Sequence, residues 1–123
     1  MNHVSSRALR IAVPTKGRDG LKDAVSEVFS RSKTFTLVDV DEEGTIKDVK
    51  IIDNPAASYK HGAGPIAVKM LAELGVNVAV AAELGIGAST LLSERGIKAV
   101  KVRAGTSVSE AVKKALSEAR RRE

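Results

Sequence analysis

His61 is one of two histidines in the chain, and it heads the stretch "HGAGP" (61–65) directly before an amphipathic run. A neutral imidazole can ligate a metal, and a protonated one can pair with an anion. Gly62 and Gly64 let the backbone approach a ligand closely. The amides of Ile66 and Ala67, at the start of the helix that follows, could hold an anion. "ELGIG" (83–87) offers Gly85 and Gly87 in the same way, and "TKGRDG" (15–20) adds the cation of Lys16. Neither "HGAGP" nor "GIGAST" is a phosphate loop or a dinucleotide fingerprint. The chemistry on offer is binding of an anion or a metal-bearing ligand. The alternative is a loop histidine that hydrogen-bonds backbone.

Several function classes are excluded or unsupported. With no cysteine in the chain, there is no disulfide, thiolate metal site or cysteine nucleophile. No Ser-His-Asp set or paired acids emerge, so the chain reads as a non-enzyme. Asp39, Asp41 and Asp53 lie on different strands or at turns, which suits structural or solvated carboxylates. The first strand carries no carboxylate to begin a two-metal nuclease site. Phe29, Phe35 and Tyr59 are the whole aromatic set. That is too few for a base-stacking platform, and nucleic acid is not an expected partner. No apolar run approaches the about 20 residues needed to cross a bilayer, so the expected setting is cytoplasmic and away from membranes. Net charge is +5, which favours anionic partners. Arg120, Arg121 and Arg122 are expected to solvate a helix end and favour its dipole.

The elements that must position these residues follow from periodicity. At 123 residues, 43% hydrophobic and 28% charged, the chain suits one globular domain over 8–120. Residues 1–7 are expected to be disordered. "ALRIAVPT" (8–15) is a continuous apolar run, as in a strand buried on both faces. "LKDAVSEVFSR" (21–31) suggests a short helix with Val25, Val28 and Phe29 inward. "KTFTLVDVD" (33–41) and "IKDVKIID" (46–53) form a hairpin about "EEGT". After the loop 54–64, Pro65 suits the first helical position. Ile66, Met70, Leu71 and Leu74 then line one face, and Gly75 closes the helix. "VNVAVAA" (76–82) is a strand, "ASTLLSER" (88–95) a helix and "IKAVKV" (97–102) the last strand. Ser107 and Glu110 make a capping box for a helix whose apolar stripe is Val108, Ala111, Val112, Ala115, Leu116 and Ala119.

The predicted fold is α/β, a five-stranded mixed sheet of order 3-2-1-4-5 with helices on both faces, an architecture that resembles ribonuclease H. Strand directions bring the loops 14–24, 54–64, 83–88 and 103–107 to one edge. Ligands in open α/β sheets bind at such an edge.

The runs "RIAVPT", "VSEVFSRSKTFTLVDVD", "VKIIDNPAA", "HGAGPIAVKMLAELGVNVAVAAELGIGASTLL" and "RGIKAVKV" then "GTSVSEAV" together resemble the dinitrogenase iron–molybdenum cofactor biosynthesis family. These are small proteins that carry nitrogenase cofactor or its precursors, together with many relatives of unknown role. The resemblance spans about residues 9–117. It implies the ribonuclease-H-like motif without ribonuclease activity and a non-catalytic carrier; the expected state is a monomer. The implied cargo is an iron–molybdenum or iron–sulfur cluster, and the implied partners are metallocluster assembly proteins. The family signature Ser-x-His-Phe-Gly-Arg appears as "SEVFSR": Ser26, Phe29 and Arg31 match, while Val28 and Ser30 replace the histidine and the glycine. His61 matches the second histidine position, which makes it the candidate metal ligand. Gly62, Gly64, Gly85 and Gly87 match the loop pattern, with Ile86 where proline is common. The remaining alternative is a small-anion or nucleotide-binding module, or a protein-interaction module, that keeps the fold without the cluster.

Overall fold

The structure, a computed structural model, describes residues 8–121; the segment 1–7 expected to be disordered lies outside the described residues. Stretches rich in β-branched residues form the strands: β1 (Leu9–Thr15), β2 (Thr34–Val40), β3 (Ile46–Asp53), β4 (Val78–Ala81) and β5 (Lys98–Lys101). The helices are α1 (Ala63–Glu73), α2 (Ile86–Glu94) and α3 (Val108–Arg121). The sheet has the order β3-β2-β1-β4-β5. β2 is antiparallel to both β1 and β3, while β1, β4 and β5 are mutually parallel. This is the predicted mixed sheet and order.

Alternation along β1 divides the core. Ile11 and Val13 face a layer with Val38, Val80, Val100 and the α3 residues Val108, Ala111, Val112 and Ala115. Ala12 faces the other layer, with Phe35, Leu37 and Ala79 beneath Val68 and Leu71 of α1 and Leu92 of α2. Small residues at Ala12, Ala79 and Ala81 leave room for the two helices on that face. Helices therefore cover both faces of the sheet, as expected. Phe29 packs edge-on to Phe35, ring centroids 5.3 Å apart.

Three local expectations are corrected. First, 21–31 is not a helix. Only a single 3₁₀ turn forms, Gly20–Lys22, and the chain then runs extended, with Val25 bridging Thr15 and Ala24 bridging Ser107. The cause is Asp23, whose buried carboxylate accepts from the backbone amides of Gly17, Asp19 and Ala24 at 3.0, 3.1 and 2.7 Å. Such side-chain bonds compete with a helical backbone. Val25 and Phe29 are buried as expected, but Val28 is 51% exposed.

Second, α1 begins at Ala63, with Gly62 before it at φ 76°, so Pro65 is its third residue. That is still within the first turn, where no amide donor is needed. Third, its inward stripe is Ala63, Ala67, Val68 and Leu71, rotated from the one read off the sequence; Ile66, Met70 and Leu74 are half-buried.

The three aspartates singled out from the sequence all have structural partners. Asp39 takes two bonds from Arg10, at 2.7 and 3.0 Å. Asp41 accepts from the amides of Glu43 and Thr45 in the hairpin turn, both at 2.9 Å. Asp53 pairs with Arg18 at 2.6 Å. Arg120 does more than solvate its helix end: it donates to the carbonyl of Asp41 at 3.1 Å. Ser107 Oγ accepts from the Glu110 amide at 3.1 Å, one arm of the expected capping box. The Glu110 carboxylate turns instead to Lys113, 3.4 Å away.

Candidate functional site

β1, β4 and β5 run parallel and β3 returns to their direction after β2, so all four end at one edge of the sheet. The loops at 16–33, 54–62, 82–85 and 102–107 emerge there together, as the strand directions required. Between three of them lies an open cleft of about 1100 Å³. One side is the segment Glu27–Ser30, a second is the loop Ala82–Gly85 with Ala88 of α2, and a third is Lys101–Ala104 with Lys114 of α3. This exceeds the volume of most small-molecule pockets, about 300–1,000 Å³. A smaller apolar recess of about 180 Å³, between Ala81, Ala99 and Val100, shares Ala82, Leu84 and Lys101 with it.

The loop behind the first wall is held by buried, uncharged polar groups. Asn54, 5% exposed, donates its side-chain amide to the carbonyls of Ser30 and Ser32 at 2.9 and 2.8 Å. Its side-chain oxygen accepts from the Ala56 amide at 3.0 Å. Ser32 Oγ shares its one proton between the carbonyls of Thr15 and Thr34, each at 3.0 Å. The hydroxyls of Thr15 and Thr34 are bonded at 2.7 Å. Every polar group in this cluster has a partner, which is how a buried polar network becomes rigid and specific.

Charge in the cleft is sorted by element. Lys101 and Arg103 come from the end of β5, and Lys114 from α3. Lys114 Nζ donates to the Lys101 carbonyl at 2.8 Å and lies 4.0 Å from Glu118. Glu27 and Glu83 come from the other two walls. Among the described residues, no ion pair involves Lys101, Arg103, Glu27 or Glu83. Phe29, Val28, Leu84, Val102 and alanines make up the apolar part of the lining. Low-dielectric walls of this kind strengthen the field of cations beside them.

The residues singled out from the sequence are distributed unevenly about the cleft. Gly85 lines it, preceding α2 without a side-chain cap. Gly64 supports the first wall from behind, since a side chain there would begin 3.7 Å from Ser30 Oγ. Gly87 is exposed in the first turn of α2. Ser26 is buried, its Oγ accepting from the Val28 amide at 3.2 Å. Lys16 and Arg31 are exposed at the same edge. His61 and Gly62 are exposed in the loop before α1, and neither lines the cleft. Among the described residues no group of three or more His, Asp or Glu side chains could hold a metal ion. His61 is thus a single donor there. Val28, which stands where the sequence resemblance implies a histidine, does line the cleft.

Sequence reasoning missed Lys101, Arg103, Lys114, Glu27, Glu83 and the clamp Asn54. The one usable signal was topological: the loop 103–107 had already been assigned to this edge.

The dinitrogenase iron–molybdenum cofactor family matches the chain over residues 7–118. The chain belongs to that family. This member is 30% identical over 107 residues to an uncharacterised protein of Methanocaldococcus jannaschii, covering 87% of this chain and 85% of that one. Its fold is similar to the apo form of the orange protein of Desulfovibrio gigas, with 32% identity, a TM-score of 0.78 and 89% and 88% of the two chains covered. A Thermotoga protein described as NifB-like and of the DUF35 family is also similar, at 33% identity and a TM-score of 0.69, covering 91% and 90%. No helix among the described residues is long and apolar enough to cross a membrane.

Proposed function

We propose that this family member is a non-catalytic carrier that receives an anionic metallocluster of the iron–molybdenum or iron–sulfur type in the cleft at the carboxyl edge of the sheet. The cleft itself carries the proposal: it is large, open, bordered by the cations Lys101 and Arg103, which take part in no ion pair among the described residues, and placed where four strands of the sheet end. Family membership supplies the cargo class, and the similar orange protein, described as an apo form, is consistent with a site that fills and empties. Proteins of cofactor assembly are the partners that deliver and collect such cargo, in the cytoplasm, with the carrier acting as a single copy.

The protein's side chains lend few metal donors here, since no acid or histidine triad exists among the described residues and Val28 stands at the signature histidine position. Holding therefore rests on charge and backbone, and the cargo is bound weakly and given up readily. Val28 is also the one observation that favours the other assignment, a small-anion module that has lost the cluster.

Anaerobic equilibrium dialysis against isolated iron–molybdenum cofactor, followed by metal analysis, decides between them. Iron and molybdenum should accumulate on the protein side and be recovered as unaltered cofactor. No molybdenum on the protein side above the free concentration at any loading would overturn the carrier role.

A further inference from the structure

The geometry points to Lys101, Arg103 and Lys114 as an anion-binding wall that selects compact multivalent anions, with Glu27 and Glu83 on the facing elements limiting its affinity. It rests on the carrier role proposed above and deepens it, because it names the groups that meet the cargo and moves them away from the His61 loop.

Three observations carry it. The cations come from two elements that the fold locks together. Lys114 Nζ is bonded to the Lys101 carbonyl at 2.8 Å, and α3 packs its buried stripe on the same side of the sheet as Val100 and Val102. Lys114 is therefore held beside the end of β5, which spares the ordering cost that this lysine would otherwise add on binding. Second, among the described residues Lys101 and Arg103 take part in no ion pair and only Lys114 has one, with Glu118 at 4.0 Å, so an arriving anion competes with a carboxylate at one cation of the three. Third, the rest of the lining is mostly apolar, and Ser30 is its single hydroxyl side chain. Such a lining has few neutral donors with which to fix a particular shape. Recognition is therefore by charge density: a divalent or trivalent anion gains from all three cations, and a monovalent one gains little. The carboxylates give the selectivity its second side, because repulsion from Glu27 and Glu83 weakens every anion and leaves only those drawn by several cations.

The test uses molybdate, inorganic pyrophosphate and chloride at constant ionic strength, read by backbone amide NMR on the intact chain. Pyrophosphate and molybdate should shift the amides of Gly85, Val102 and Ala104, and chloride should not. Arg103→Gln should weaken pyrophosphate binding about three- to five-fold and the Lys101→Gln/Arg103→Gln double variant about ten-fold. Glu83→Gln should tighten it about two-fold. All these side chains are at the surface, so the variants fold. Shifts centred on His61, Gly62 and Gly64, or affinities that ignore both the cation and the carboxylate variants, would overturn the assignment.

A parallel anaerobic titration with isolated cofactor separates the two ideas. Pyrophosphate bound in the cleft with no cofactor retained leaves the wall and removes the carrier role. Cofactor retained equally by the natural protein and the double variant leaves the carrier role and removes the wall.

Discussion

Where β1 begins, Arg10 grips Asp39 with two hydrogen bonds and reaches across to the carbonyl of Leu74, 2.6 Å away, at the end of α1. Its own amide donates to the Asn77 side chain at 2.7 Å. Where β1 ends, the charged groups at the cleft, Lys101, Arg103, Glu27 and Glu83, are in no ion pair among the described residues. There the framework is held by Asn54, Ser32, Thr15 and Thr34, which are buried and uncharged. One edge thus uses charge to join its elements. The other joins them with neutral hydrogen bonds and leaves its charge facing the cleft. The departures are the buried Asp23 carboxylate, which holds amides of the loop after β1, and the Arg18–Asp53 and Lys114–Glu118 pairs, which being solvated add little stability. A binding edge needs this division, since a cation already paired within the fold offers little to a ligand.

The comparison breaks most visibly at Asn54. Asn54→Ala removes three hydrogen bonds in a buried place and strands two carbonyls, which should cost about 2–4 kcal/mol of unfolding free energy. Urea unfolding measures it, and a loss below about 1 kcal/mol would mean the neutral cluster does not hold the cleft wall. At the opposite edge, Arg10→Met leaves Asp39 without its partner and the Leu74 carbonyl without its donor. The expected cost is smaller, about 1–2 kcal/mol, because the pair is part-exposed. Pyrophosphate affinity should not change in this variant. A changed affinity would show that the two edges are not independent.

The smallest effect is on acid stability. Hydrogen bonds from Arg10 hold Asp39 below the usual aspartate range, and backbone amides, Thr45 first, do the same for Asp41. Depressed carboxylates stabilise the fold fully above their unfolded value of about 4 and lose that contribution as pH falls through the folded value. The denaturation midpoint should therefore be flat from pH 7 to about pH 5 and fall below pH 4. Arg10→Met should shrink the fall, because Asp39 then loses the hydrogen bonds that most lower it in the folded state. An undiminished fall in that variant would assign the acid sensitivity elsewhere.

The strands were legible because burial on both faces leaves continuous apolar runs, as in "RIAVPT", and because the hairpin's turn residues are local. Strand order and the shared edge then followed from connection rules. The segment 21–31 was not legible. Val25 and Phe29 are four residues apart and both buried, which imitates a helical stripe. The group that prevents the helix, the Asp23 carboxylate, acts on amides up to six residues away. The cleft cations were hidden for a different reason. Lys101 and Arg103 alternate with Val100 and Val102 as solvated residues of any short edge strand do, and Lys114 sits on the polar side of an amphipathic helix. Only the packing of α3 against β5 brings them together. His61 drew attention by its residue type, whereas Val28, a residue with no chemistry of its own, occupies the cleft.

That valine gives the most direct test of cargo binding at this edge. Val28 is half-exposed on the cleft wall, so Val28→His places an imidazole beside the cargo without burying it, and imidazole suits iron and other first-row metals. The measurement is an anaerobic equilibrium titration of isolated iron–molybdenum cofactor into the natural protein and into Val28→His. The account predicts weak, reversible binding by the natural protein and binding at least about ten-fold tighter by Val28→His, with little change in stability. Equal affinities in the two proteins, or tight binding by the natural protein that is lost only in His61→Ala, would contradict it.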